Sequence, residues 1–309
     1  MARNTLEAWL PEEKGSEVIA RIAGTSAVEK IARPLPMNSD TKSWPRTAGM
    51  DVEIVPKGSA YGEDTSLNDE ITLKARKFGK VVRIAEEDID DSIADILTAK
   101  KTDWATSYAR IFDNATLAVT AAENGTTVPF TSVYKALSTA NSATGYTALA
   151  NVIKTAAGVA ITYDNLSALV GRVEVGDYFD ESKTVVIAHP GFKKSFRELK
   201  DSTGKPIFGD GNPATGTPDT LFGYPVEYSN GARTSAVATS KPTGNRLLVV
   251  VNSDFMFKGV RSGPESVVID GKGGASALTD ETLLKIRARR AFGLANENAA
   301  AILEEVPAV

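Results

Sequence analysis

The chain has 309 residues, 42% hydrophobic and 24% charged, with a formal net charge of -4 and an isoelectric point near 5.3. That length can bury one large core or two closely connected ones, and the acidic balance argues against a protein whose main task is gripping nucleic acid. Cysteine is absent, which excludes disulfides and thiolate catalysis and suits assembly in a reducing cytoplasm.

Met1–Trp9 lacks the basic head and apolar core of a signal peptide, and no run reaches the ~18 apolar residues of a membrane span. Residues Met1–Trp44 read as a polar, arm-like lead-in with one weakly amphipathic stretch, Ser16–Ala23. Pro34, Pro36 and Pro45 keep its second half extended and out of helix. Trp9 and Trp44 are candidate anchors for such an arm; equally, both rings can lie on their own domain. A hairpin follows, predicted from strands at Met50–Pro56 and Glu70–Ile84. In the second, Ile71, Leu73 and Ala75 alternate with Thr72, Lys74 and Arg76, the period-2 pattern of a strand with one buried face. The tip, Lys57–Ser66 with Tyr61 and Glu63, is too long for a tight turn and too polar for a core. A two-stranded hairpin is marginal by itself, so this one is expected to lie against something outside its own chain.

The outgoing strand is basic, with Lys74, Arg76, Lys77, Lys80 and Arg83 and no acid after Glu70. The sign then reverses at Glu86, Glu87, Asp88, Asp90, Asp91 and Asp95. Acids are favourable around a helix N-terminus, which accounts for them locally. The sharper expectation is that the basic strand of one copy meets Asp88, Asp91 or Asp95 of another. With Ser92 as N-cap, the apolar positions Ile93, Ile96, Trp104, Tyr108, Ile111, Ala115 and Val119 recur at helical spacing. The predicted helix runs to a C-cap at Asn124–Gly125. About 30 residues of helix span roughly 45 Å at ~1.5 Å per residue, long for a compact domain.

A second domain is expected from about Pro129, after which small residues connect through Ser138–Gly145. Asp164 is the predicted cap of a helix over Asn165–Val175, Thr184–Ala188 is an apolar run of strand length, and Pro190 opens a helix through Phe192, Phe196 and Leu199. Lys200–Phe208 reads as a turn into a strand, Gly209–Asp219 as an irregular loop, and Leu247–Val251 as a buried strand. Leu284, Ile286 and Ala288 alternate with Lys285, Arg287 and Arg289 in a long strand, and Ala299–Leu303 forms a short apolar tail. Helices and strands are segregated rather than alternating, so the fold class is α+β.

Catalytic and ligand chemistry finds little support. His189 is the only histidine, and Ile187-Ala188-His189-Pro190 places it at a strand-to-helix junction, where turn geometry is its expected role. No Gly-x-Ser-x-Gly elbow occurs, and Gly209–Gly216 has neither phosphate-loop spacing nor a following Lys-Ser/Thr. Asp88–Asp91 lacks the alternating ligands and turn glycine of a calcium loop. Arg287, Arg289 and Arg290 are one face of a strand before they are a nucleic-acid patch. No catalytic residue, metal or cofactor is assigned.

Taken in order, a series of short segments resembles the major capsid proteins of tailed double-stranded DNA phages, which have the Hong Kong 97-type fold. Gly24–Ala32 looks like that family's entry from arm to hairpin, and Ile71–Ser92 like its extended-loop return strand and the start of its spine helix. His189-Pro190 through Leu199–Phe208 looks like its Asn/His-Pro helix and Leu-Lys-Asp-x-x-Gly turn. Leu221-Phe-Gly-Tyr-Pro-Val226 and Asn252-Ser-Asp-Phe255 resemble two further segments.

The resemblance implies an N-terminal arm (1–45), an extended loop (46–85), a peripheral domain with a long spine helix (86–130, with a return over 263–309) and an axial domain (131–262). It implies a non-enzymatic shell protein that forms hexamers and pentamers of an icosahedral virion capsid around double-stranded DNA, assembled in the host cytoplasm. Portal and a separate scaffolding protein are the expected partners, a decoration protein an optional one, and a membrane none; packaged DNA is contacted non-specifically. Intersubunit contacts are expected at Trp9, Trp44, Lys57, Tyr61 and Glu63, along Lys74–Arg83, and at Asp88, Asp91 and Asp95. Some relatives begin with a cleaved helical scaffold segment, whereas here the arm-like region starts at once. Others crosslink an extended-loop Lys to a neighbour's Asn; Lys57 lies near this tip, but no partner Asn or assisting Glu matches the pattern. The alternative reading is an encapsulin-like bacterial nanocompartment of the same fold.

Overall fold

The computed structural model describes residues 25–47, 49, 52–63, 68–85, 87, 96–200, 220–269 and 281–307. In chain order the described elements are α1 (Ala27–Ile31), β1 (Arg33–Pro36), β2 (Thr41–Arg46), β3 (Asp69–Lys74), β4 (Arg76–Ala85), α2 (Ile96–Leu117), α3 (Val133–Leu137), β5 (Val152–Lys154), α4 (Tyr163–Glu174) and β6 (Thr184–Ala188). They continue as α5 (Phe192–Glu198), β7 (Thr220–Leu221), β8 (Tyr224–Tyr228), β9 (Arg246–Asn252), β10 (Met256–Ile269), β11 (Glu281–Leu294) and β12 (Ala300–Glu305). The chain divides into two compact units, a smaller one drawn from Gly79–Thr106 and Ser266–Arg287 and a larger one from Gly24–Phe78, Ser107–Glu265 and Ala288–Val309.

The larger unit is organised by a six-stranded mixed sheet in the order β5-β12-β9-β6-β8-β7. β9 lies antiparallel to both β12 (Ala300↔Val251) and β6 (Thr184↔Asn252). Its run Leu247–Val251 is wholly buried, as expected of an interior strand with both faces covered. One face carries Val186, Ala188, Leu248, Val250, Ala301 and Leu303, onto which α4 lays Leu166, Leu169, Val170 and Val173. Those four follow the i, i+3, i+4, i+7 spacing of a helix with one apolar stripe. The helix is capped by Thr162, whose side chain accepts from Asn165 N at 3.2 Å; Asp164, the cap expected from sequence, lies inside the first turn. The apolar run expected as a C-terminal tail is instead β12, an interior strand between β5 and β9. Its short sequence hides that position because interior strands and tails are both apolar and only pairing distinguishes them.

A four-stranded sheet has the order β1-β10-β11-β4. Within the larger unit β1 pairs parallel with the start of β10 (Arg33↔Phe257), where Gly259 makes room for Met37. The stretch 27–46, read as the second half of an arm, is therefore α1 and two paired strands; its prolines exclude helix but tolerate edge strands.

Two boundaries differ from expectation. The incoming strand of the hairpin is β2, with Trp44↔Ile71 and Arg46↔Asp69, and residues 52–56, the described part of Met50–Pro56, lie in irregular structure. Trp44-Pro45-Arg46 conceals that strand behind a proline, which an edge position accommodates. α2 ends at Leu117 rather than at Asn124–Gly125. Just beyond it Ala118 O and Val119 O accept from Ser235 N and Ser132 Oγ, and Thr120 N donates to Ser235 O, so outside partners divert the chain. Gly125 (φ +75) serves a turn instead, in which Asn124 N and Gly125 N both donate to Val128 O.

In the smaller unit Gly79 of β4 approaches β11 so closely that a Cβ would lie 3.0 Å from Ile286 O. Arg83 of β4 pairs with Glu281 of β11 at 3.3 Å. At the start of α2, Thr102 and Thr106 return their hydroxyls to Thr98 O and Thr102 O. The expected cap Ser92, Glu86 and 88–95 lie outside the described residues, as do 201–208 and the loop Gly209–Asp219.

Candidate assembly surfaces

The root of the extended loop is locked into its own chain. Leu73 is fully buried with Met37 and Ala291, and Gly293 leaves space for Leu73 and Ile71, since a Cβ there would sit 2.6 Å from Leu73 Cδ2. Trp44, half-buried, packs on Phe257 with ring centroids 5.8 Å apart and carries Lys42 Nζ over its face at 4.9 Å. Arg46 closes the base: its guanidinium donates two hydrogen bonds to the Asp69 carboxylate and one to Ala295 O at 2.9 Å, with Glu297 at 3.4 Å. Hydrogen bonding from Arg46 holds the Asp69 carboxyl below its ordinary range, and that bond in turn raises Arg46.

Beyond this root the described residues of the loop, 52–63, are largely exposed. Val52, Ile54 and Tyr61 are 92%, 98% and 84% exposed. Within the long tip a local turn forms: Ser59 N donates to Pro56 O at 3.1 Å, with Gly58 at φ +88 in the position where a type II turn needs a left-handed residue. Gly62 N donates to Glu53 Oε1 at 2.8 Å, tying the two limbs together. Lys57 and Glu63 are exposed on either side.

The basic strand is split in its contacts. Arg76 pairs with Glu123 at 2.9 Å and Lys74 lies 4.0 Å from the same carboxylate. Arg83 meets Glu281, while Lys77 and Lys80 are exposed. Arg76 and Arg83 thus have acids of their own chain as partners. Trp9, Asp88, Asp91 and Asp95 lie outside the described residues.

Two functional-looking residues escaped the sequence reading. Asp113 is fully buried in α2 and accepts four hydrogen bonds, from Ser26 Oγ, Ala27 N, Val28 N and Ser229 Oγ. It caps α1 and holds the 229–231 turn to the helix. Burial pushes its carboxyl up to about 6, against the four donors that favour the anion. Asn114 donates to Gly231 O and Arg233 O at 3.1 and 2.8 Å and accepts from Ser235 Oγ and Thr239 N. The available signal was polar Asp113-Asn114 next to Phe112 and Ala115 on what periodicity marks as the apolar side. α2 is buried all round from Phe112 onward, so these side chains need internal partners. His189 has the role expected of it: Nδ1 accepts from Gly191 N at 3.0 Å, and burial, with Arg233 and Arg246 nearby, depresses its pKa to about 4.

A cavity of about 400 Å3 opens beside the loop root, with Ile71, Ala136, Ala140, Phe292 and Leu294 among its apolar lining and Glu70, Glu123, Lys135, Asn141 and Glu297 among its polar one.

No curated protein matches the sequence. Among solved structures, the chain is similar to one in the capsid of the native GTA particle, with 17% identity, TM-score 0.71, and 99% of this chain and 100% of that chain covered. It is similar also to a chain from Mycobacterium phage Bobi (18% identity, TM-score 0.68, coverage 98% and 97%) and one from Mycobacterium phage Ogopogo (16%, 0.71, 99% and 100%). At these identities the likeness establishes a shared fold, the α+β capsid fold. The sequence itself matches the phage capsid family over residues 8–304, and with a loop built to project from a locked root, the chain belongs to the phage capsid family as a structural major capsid protein.

Proposed function

We propose that the chain assembles into hexamers and pentamers of an icosahedral shell enclosing double-stranded DNA, within the host cytoplasm and without catalytic activity of its own. The observation that carries this is the loop 52–63, whose three large apolar side chains are almost wholly exposed on a root fixed by Arg46, Asp69 and Leu73. Apolar groups so placed lose their hydration cost only against another surface. Subunits meeting head-to-tail through such a contact close into rings.

In this reading 1–45 is an arm whose root, α1 to β2, is anchored, 46–85 the extended loop, 86–130 and 263–309 the peripheral domain, and 131–262 the axial domain. Lys57, Tyr61 and Glu63 meet a neighbour, and Lys77 and Lys80 face the acids Asp88, Asp91 and Asp95 of another copy. Trp44, Lys74, Arg76 and Arg83 border that contact from their intrachain positions, and Trp9 anchors the arm. A portal and a scaffolding protein complete the assembly, with a decoration protein as an optional addition. The family match gives the encapsulin-like alternative no support.

Imaging of purified native particles tests the reading. DNA-filled icosahedral shells with a tail vertex are expected; protein-filled shells lacking DNA, or a chain that sediments as a compact monomer at every concentration and salt, would overturn it.

A further inference from the structure

Resting on that shell reading, we infer that the cavity beside the loop root is the receptor for Tyr61 of a second copy of this chain, so that each subunit carries both a knob and its hole. The knob is presented rather than merely exposed. Tyr61 precedes Gly62, whose amide is held by the Glu53 carboxylate, and the limb returns from the Pro56–Ser59 turn, so the backbone on either side of the ring has a hydrogen bond of its own. A Cβ at Gly62 would meet the Glu53 carboxylate, the free end of an exposed side chain.

The hole has matching chemistry. The small side chains of Ala136 and Ala140 line it together with the apolar Ile71, Phe292 and Leu294. Glu70, Asn141 and Glu123, the last already paired with Arg76 and Lys74, supply polar groups to the lining. A tyrosine wants such a site, with apolar walls for the ring and an acceptor for the hydroxyl, and buries roughly 150–250 Å2 there. Valine or isoleucine from the same loop would leave the polar side unmatched. The flanking charges agree as well: the loop brings Lys57 and Glu63, and the rim offers Glu70 and Lys135, opposite signs for each. The occupant is a second copy because Tyr61 of the same chain stands 84% exposed while the cavity beside its own loop root is open.

The absence of cysteine makes disulfide trapping unambiguous. Full-length chain carrying Ala60→Cys and Ala140→Cys, both at exposed positions and leaving Tyr61 in place, is assembled and run under non-reducing conditions. A ladder of disulfide-linked multimers that collapses on reduction is expected, with neither single variant giving it. Tyr61→Ala should weaken capsomer association about tenfold, with Tyr61→Phe intermediate and the unfolding midpoint of the free subunit unchanged in both. Particles that assemble normally from the double variant without crosslinks would overturn the inference and leave the shell reading standing, as would a crosslink confined within single chains. Failure of the unmodified chain to form any multimer would overturn the shell reading, and the inference with it.

Discussion

Asp113 shows how much one carboxylate organises. Its four donors come from the N-terminus of α1 and from Ser229, and Gly231 packs against it so tightly that a Cβ would lie 2.7 Å from Asp113 Cβ. Asp113→Ala strands those donors in a dry site, and each buried orphan costs about 1–3 kcal/mol; a loss of about 3 kcal/mol or more in denaturant unfolding of the free subunit is expected. The pH dependence has a definite sign. A carboxyl raised from 3.8 to about 6 binds its proton more tightly in the folded state. Its contribution therefore favours folding at low pH and is lost as pH rises through 6, a change of about 3 kcal/mol at ~1.4 kcal/mol per pH unit. The stability difference between the native chain and Asp113→Asn should accordingly be largest near pH 4 and shrink towards pH 7. His189 acts oppositely: with its pKa depressed from 6.5 to about 4, it favours folding above 6.5, and that contribution is lost as pH falls towards 4. The two windows overlap, so thermal melts of each single variant against pH are needed to separate them. A His189→Gln series with no slope difference from the native chain between pH 4 and 6.5 would contradict its half-buried, neutral state.

At the scale of elements, the contrast lies within one loop. The β2–β3 root is fixed by Arg46 and by Ile71 and Leu73 against Gly293, whereas among the described residues 52–63 is held by a turn and by the bond of Gly62 to Glu53. The Arg46 head group is mostly buried, and charge-assisted hydrogen bonds of this type contribute about 1.5–3 kcal/mol. Arg46→Ala should lower subunit stability by about 2 kcal/mol, and Arg46→Ala with Asp69→Ala should cost less than the sum of the two singles, as a double-mutant cycle will read. Asp69, held low by Arg46, supports folding above its ordinary pKa of 3.8 and loses that contribution as pH falls below it. Gly293→Ala should overpack the same root and cost about 1–3 kcal/mol. By contrast, Glu53→Ala, which removes the acceptor of Gly62 N, should leave the melt of the free subunit unchanged and impair assembly, because it disturbs only the presentation of the loop.

For the whole molecule, the proposed shell draws on repetition of small terms. Exposed ion pairs contribute only ~0–1 kcal/mol each, and salt screens them over ~10 Å at 0.1 M. Lys77→Glu with Lys80→Glu should therefore raise the protein concentration needed for capsomer formation and flatten its salt dependence, without altering the subunit's unfolding midpoint. Sedimentation across ionic strength checks this; an unchanged salt slope would remove Lys77 and Lys80 from the interface. Hydrogen exchange supplies a second measurement. Amides of 52–63 should exchange rapidly in free subunits and slowly in shells, since Val52, Ile54 and Tyr61 are almost wholly exposed. Equal strong protection in both states would mean that the loop is stabilised without a neighbour.

Patterns with one local cause were legible in the chain: Thr184–Ala188 as a strand, the helix after His189-Pro190, the buried run in β9, the alternation in β11, and the order of segments that resembles phage capsid proteins. Each follows from periodicity, from proline or from a run of β-branched residues, which act over a few residues. What only the tertiary structure decided were pairings and polar contacts between distant parts of the chain. β2 rather than 50–56 partners β3, Ala300–Glu305 is an interior strand, α2 stops at Leu117 because Ser235 and Ser132 take up its end, and Asp113 reaches back 85 to 87 residues to α1. Periodicity reports which face of an element is covered but not by what; a buried carboxylate finds its donors only when the folded chain brings them within hydrogen-bonding distance.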